Sequence, residues 1–249
     1  MSEMPALGCA TNRVGQADTF LMKLKTYLSL SVFSFCALRM VAADAQPTVD
    51  EASKGLKAAL GSIVDQSVAT VSDPKALEGF TIALPDKMKK LESTLRSSGQ
   101  GHLVDDFKTK LKNAAVQVMP LSKDAFTSET SNVKFDDPMA VLKAAPDGLT
   151  NYTKQKTRPP IVTKVQPLIV AKCKENGVAA AYQAMVAKAG PMASAMFGKE
   201  PPSNLEQSVT EQTVDFMYTQ MGKGEGALRA NPAMSKDALV KKVFSMVKK

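Results

Sequence analysis

The sequence predicts an all-α protein: one multi-helix domain built on antiparallel helical hairpins and preceded by a signal peptide. Three observations predict it. Apolar residues recur at steps of three and four along most of the chain, which lines them up on one face of a helix. Capping residues, Pro and Gly stand where those stripes begin and end. The composition also favours helices: 44% of the 249 residues are hydrophobic but only 6% are aromatic, and there is no Trp. Ala, Leu, Val and Met must therefore fill the core.

At the N-terminus, Lys23 and Lys25 precede an apolar run over 27–37, and small residues follow up to Ala43-Asp44-Ala45. That is the order of a secretory signal peptide, so residues 1–45 are expected to be an N-terminal extension and signal, with Met22 an alternative start. The run is shorter than the ~20 residues that span a bilayer, and Arg39 interrupts its far end. Export to the periplasm or envelope follows, with no transmembrane helix in the mature chain. Neither Cys9 nor Cys36 has the preceding sequence a lipidated cysteine needs. Residues 46–249 keep one cysteine, Cys173, so the expected mature domain has no internal disulfide.

Thr48-Val49-Asp50-Glu51 has the spacing of a capping box. Behind it Leu56, Leu60, Ile63, Val64, Val68 and Val71 form one stripe, which stops near Ser72-Asp73-Pro74. Phe80, Ile82 and Leu84 alternate with small or polar residues, predicting a short extended link. Pro85 suits a first helical position, and Leu84, Met88, Leu91 and Leu95 share a face. Gly99 and Gly101 can take the left-handed backbone that ends this helix. Leu103, Val104, Phe107, Leu111, Ala114, Ala115 and Val118 then make the second arm of a hairpin.

Ser122 is expected to cap a helix through Phe126 to about Ser131, and Asp137-Pro138 to start a short one. Residues 145–148 read as a turn. A helix with Tyr152 should stop at Pro159-Pro160. Another should carry Ile161, Val165, Leu168, Ile169 and Cys173, kinked at Pro167 and ended by Asn176-Gly177. Val178, Tyr182, Met185 and Val186 form the next stripe. Residues 190–202 are a Gly/Pro-rich connection too apolar to be a free linker. Ser203 and Glu206 repeat the capping-box spacing before Val209, Phe216, Met217 and Met221. Gly222-Lys223-Gly224-Glu225-Gly226 reads as a flexible interruption. A last helix carries Leu239, Val240, Val243, Phe244 and Val247.

The pattern around Leu84, Pro85, Met88, Leu91, Glu92, Leu95, Arg96, Gly99, Gly101 and Leu103–Phe107, the Asn231-Pro232 turn and the ending Leu239-Val240-Lys241-Lys242-Val243-Phe244 together resemble a bacterial family, domain of unknown function 4197. The resemblance spans about Ala52 to Phe244. It implies an exported, helical protein and supplies no activity. The chain departs from the family at Lys112-Asn113-Ala114-Ala115-Val116, where Asn-Arg-Ala-Ala-Glu is typical. It departs again at 222–226, where a charged continuous helix is usual.

The chemistry-bearing residues do not assemble into a catalytic set. His102 is the only histidine and sits at a predicted helix start, as an exposed hairpin residue would, so a Ser–His or Cys–His pair would have to use it. Asp105-Asp106 and Asp136-Asp137 are adjacent pairs that diverge on a helix, with Asp106 expected to pair with Arg96 or Lys110. Cys173 shares an apolar stripe, as inert buried thiols do. The glycine-lysine run lacks the preceding strand and following G-K-[ST] of a phosphate loop. No catalytic, metal or cofactor site is expected.

The formal charge is +8, but the basic residues are scattered among acidic ones, which speaks against nucleic acid. What remains is binding. Met185, Met192, Met196, Met217 and Met221 carry adaptable thioethers suited to a groove for an apolar ligand, lipid or partner helix of an envelope protein, with Tyr152 and Arg158 as polar rim candidates. Lys241, Lys242, Lys248 and Lys249 are candidates for contact with a membrane surface. The alternatives are an enzyme with a carboxylate or Tyr152 site assembled only in the fold, and a purely structural envelope protein.

Overall fold

A computed structural model describes residues 46–246. The signal-peptide reading, Cys9, Cys36, Val247, Lys248 and Lys249 lie outside the described residues. Ten α-helices follow in order: α1 (Val49–Val71), α2 (Asp86–Ser97), α3 (Gly101–Leu121), α4 (Lys123–Ser131), α5 (Pro138–Lys143), α6 (Gly148–Glu175), α7 (Val178–Lys188), α8 (Pro191–Phe197), α9 (Leu205–Ala230) and α10 (Ala238–Ser245). Short 3-10 turns cover Pro74–Leu77 and Pro232–Met234, and no strand occurs among the described residues.

The start of α1 is set by the capping box: Glu51 N donates to Thr48 Oγ1 at 3.2 Å and Thr48 N donates to Glu51 Oε2 at 3.1 Å. The predicted extended link is present too. Phe80, Ile82 and Leu84 are buried while Thr81 and Ala83 are exposed. Among the described residues no strand pairs with this segment. Instead the Gln212 amide of α9 accepts from Ala83 N at 2.8 Å and donates to Ala83 O at 3.0 Å. One side chain does for this residue what a neighbouring strand would do.

Several boundaries differ from the sequence reading. Gly99 is left-handed at φ 76°, whereas Gly101 is the first residue of α3. Ser122 does not cap α4, because its Oγ donates back to Met119 O at 2.7 Å. Ser203 is not a cap either; α9 starts after Asn204 without a side-chain cap bond. Within 190–202 the chain forms α8, bracketed by Gly190 and Gly198 at φ 94° and 73°. Arg96 pairs with Asp105 at 2.7 Å, and Lys110 lies 3.7 Å from Asp106.

The largest corrections concern α6 and α9. The Pro159-Pro160 pair does not divide α6, which runs unbroken for 28 residues with Pro159, Pro160 and Pro167 inside it. Tertiary packing overrides the lost backbone bonds. Leu149, Thr153, Thr157, Ile161, Val165, Ile169 and Cys173 form one buried stripe at four-residue steps, continuous across the prolines. Its first half is hidden from a hydrophobicity reading because threonines occupy it. Thr153 and Thr157 donate to the carbonyls of Leu149 and Thr153 at 2.8 and 2.9 Å, which removes the cost of burying their hydroxyls.

The Gly222–Gly226 run is likewise helix, not an interruption. Its glycines lie against neighbouring segments: a Cβ on Gly224 would meet Gln66 Oε1 of α1 at 3.5 Å, and one on Gly226 would meet Pro146 at 3.9 Å. Packing of α6 on α9 is the most extensive between any two elements, followed by α1 on α9. Around this pair one core gathers side chains from α1, α3, α4, α7 and α10. The entry of α10 is close. Val243 Cγ2 would stand only 2.8 Å from a Cβ at Gly55, so glycine lets the two helices touch.

Candidate functional site

Where the N-terminal turns of α6 leave α9, a cleft of about 390 Å³ opens, lined by Asp147, Thr150, Asn151, Lys154, Tyr218, Thr219, Gly222 and Lys223. Its floor is a polar lattice. Tyr218 is buried and its hydroxyl meets Thr157 Oγ1 at 2.7 Å. Burial pushes its phenol up to about 12, only partly opposed by the Thr157 hydrogen bond. It stays protonated at neutral pH and is no general base. The Lys154 ammonium sits 5.6 Å over the Tyr218 ring and 2.9 Å from Asp215 Oδ1. Arg158 clamps the same carboxylate with two bonds of 2.9 Å, from Nε and Nη2. These cations, Arg158 foremost, hold Asp215 below the ordinary carboxylate range. An ionised, doubly paired carboxylate is a strut, not a base.

The start of α6 is held from the other side by a carboxylate with no solvent exposure. Glu225 of α9 accepts from Leu149 N at 2.9 Å and Thr150 N at 2.7 Å. Arg229, one turn on, donates to Glu225 Oε1 at 2.7 Å and to the carbonyls of Leu142 and Val141 at the end of α5. The negative side chain meets the positive end of α6, and the positive one meets the negative end of α5. This pair locks α5, α6 and α9 together and fixes the cleft's geometry.

A smaller cleft of about 180 Å³ lies on the α1 side of α9, lined by Gln66, Ser67, Thr70, Gln220, Lys223, Gly224 and Ala227. Lys223 borders both. Two buried side-chain atoms among the described residues lack a hydrogen-bond partner, Thr150 Oγ1 and Gln220 Nε2. Each belongs to a residue lining one of these two clefts.

The residues singled out in the sequence do not gather in one place. Met185, Met217 and Met221 are in the core, whereas Met192 and Met196 on α8 are 80% and 66% exposed. Tyr152 and Arg158 point to different neighbours. The Tyr152 hydroxyl lies 2.9 Å from Asp136 Oδ2 and accepts from Lys156 at 2.6 Å, and its ring stacks on Phe135. It therefore pins the segment between α4 and α5, while Arg158 faces α9. On α10, Lys241 and Lys242 are exposed, but Lys242 is bonded to Glu51 at 2.6 Å, and Val240, Val243 and Phe244 are spent on the core. His102 is exposed. Cys173 is buried, and burial raises its thiol to about 11, aided by Glu206. No cluster of His, Cys, Asp and Glu suited to a metal ion occurs among the described residues, and no helix among them is long and apolar enough to cross a membrane.

Sequence reasoning missed Asp147, Thr150, Asn151 and Gln220, and set aside Lys223 with its glycine run. The signal that was present is the run itself: on either side of Lys223, Gly222 lines the larger cleft and Gly224 the smaller one.

A family model described as "Protein of unknown function (DUF4197)" matches residues 46–245. No curated protein and no solved structure matches the chain.

Proposed function

We propose, for a chain that belongs to the DUF4197 family, a non-enzymatic binding role in the bacterial envelope after export, with α8 as its apolar contact element and an anionic lipid surface as the partner. The observation that carries this reading is the exposure of Met192 and Met196, 80% and 66%. They lie four residues apart on one helical face and point into water, whereas Ala193 is buried and Phe197 packs against the core. The element is anchored at its base, where Tyr182 Oη donates to Phe197 O at 2.7 Å. Lys188 precedes it and Lys199 follows it, both exposed.

Full burial of a Met side chain contributes about 1.5–3 kcal/mol, and each Lys near an anionic membrane about 1 kcal/mol. Two Met side chains and two Lys, partly offset by exposed Glu200 beside Lys199, give attachment that is weak, reversible and salt-sensitive after the cost of immobilising the protein. A catalytic reading has less support: the Asp215 carboxylate is committed to two cations, the Tyr218 phenol stays protonated and the Cys173 thiol is buried.

Flotation with vesicles of phosphatidylglycerol and phosphatidylethanolamine tests the reading, with phosphatidylcholine vesicles as control. The expected result is binding to the anionic vesicles at low salt and loss of most of it in the Met192→Ser/Met196→Ser double variant. Equal flotation of the variant and the parent, or no flotation of either, rejects α8 as the contact.

A further inference from the structure

The α6–α9 cleft contains an acid and a base with no charged partner among the described residues. Asp147 and Lys223 both line it, yet neither forms an ion pair there with the other or with a third group. Lys154, the other cation of the cleft, is committed to Asp215, and Arg158, which shares that carboxylate, also lies 3.8 Å from Glu211. A cleft with one uncommitted charge of each sign is complementary to a ligand that carries both.

A buried hydroxyl supplies an independent observation. Thr130, Thr153, Thr157, Thr210 and Thr213 are buried, and each donates to the carbonyl four residues back. Thr150 is equally buried, at 2% exposure, but its Oγ1 has no partner. Four residues back from it is Pro146, which precedes the first turn of α6. A buried donor left unmatched is costly, and an acceptor brought into the cleft relieves that cost.

The backbone of α9 leaves room for such a ligand. Gly222 lines the cleft, and a Cβ there would meet only Asp147 Cβ, at 3.4 Å, an ordinary contact. Glycine in a helix interior is less favourable than Ala, so nothing about the helix itself calls for it here. With no side chain, Gly222 leaves the cleft wall beside Asp147 open.

We propose that this cleft binds a small zwitterion of the amino-acid class, its carboxylate on the Lys223 ammonium and its ammonium group on the Asp147 carboxylate. The volume of about 390 Å³ is at the small end of ligand sites and excludes large polymers from full enclosure. The Asn151 amide and the Thr150 hydroxyl supply the remaining polar contacts. The site is separate from α8 and stands or falls independently of the lipid reading.

The test is a titration of the purified full-length protein with L-serine, acetate and methylammonium, followed by amide chemical shifts in nuclear magnetic resonance. L-serine is expected to shift the backbone amides of Gly222 and Lys223 and the side-chain amide of Asn151, saturably. Acetate or methylammonium alone, each carrying one charge, should bind at least about tenfold more weakly. Lys223→Met and Asp147→Asn, both at exposed positions, should each weaken L-serine about tenfold or more. Gly222→Ala should narrow the cleft and weaken L-serine while leaving thermal stability equal or higher. Shifts from acetate equal to those from L-serine overturn the proposal. So do saturable shifts that survive both charge substitutions, and so does the absence of shifts at these residues, which leaves the Thr150 hydroxyl to water alone.

Discussion

Replacing Glu225 by Gln removes one charge from a site with no solvent exposure while nearly preserving shape. In the parent, that carboxylate takes two backbone N–H bonds at the start of α6 and one from Arg229. The amide keeps a single acceptor oxygen for three donors, and its own NH2 is turned toward donors. Arg229, only 13% exposed at the side chain, is left with its charge uncompensated. Breaking a buried ion pair from one side costs about 3–5 kcal/mol, and a buried N–H left unmatched about 1–3 kcal/mol. A loss of roughly 4 kcal/mol is therefore expected, equivalent to about 8–16 °C in Tm for a protein of this size. Removing both partners in Glu225→Gln/Arg229→Met should cost less than the sum of the single changes, because the lone charge disappears. Urea unfolding followed by far-ultraviolet circular dichroism measures all four proteins. A Glu225→Gln variant within about 1 kcal/mol of the parent, where a buried pair broken from one side costs several, would refute the claim that this pair holds α5, α6 and α9 together.

Other expectations follow from the same geometry. Cys173 should react with a thiol reagent slowly in the native protein and rapidly in urea, since burial raises its thiol to about 11 and closes access; fast native labelling contradicts this. Because Arg158 lowers the carboxyl of Asp215 in the folded state, the stability the pair contributes is present above the unfolded carboxyl value of about 3.9 and is lost as pH falls below it. Asp215→Asn should therefore flatten the acid side of the urea midpoint–pH curve; an unchanged slope refutes the pairing. Export predicts a mature N-terminus at Gln46, with Asp44 a second choice, as read by N-terminal sequencing of the envelope fraction; an intact residue before Tyr27 on a cytoplasmic form refutes it.

Much of the helical order was legible because caps and apolar stripes report on a few neighbouring residues. Thr48 with Glu51, Asp137 before Pro138 and Gly177 act locally, and all three positions behave as their sequence says. The errors arose where tertiary contacts override local preference. Pro159 and Pro160 favour a break, but the stripe from Leu149 to Cys173 packs as one piece on α9 and its neighbours. Its threonines satisfy their hydroxyls internally and count as polar in any pattern search. The same blindness applied to 222–226, where glycines that weaken an isolated helix lie against α1 and the turn before α6. The cleft was illegible for a further reason. Asp147, Thr150 and Asn151 are more than sixty residues from Lys223 in sequence, and no spacing rule links them. Methionine gave a half-true signal: nothing in a periodic pattern separates Met185, packed inside, from Met192, left in water.

Hydrogen–deuterium exchange of the protein with and without phosphatidylglycerol-containing vesicles is the most direct test of the central claim, that α8 is the contact element. Slowed exchange is expected at residues 188–200 alone, abolished by Met192→Ser/Met196→Ser and by high salt. Protection centred on any other helix, or none at saturating vesicle, would contradict it.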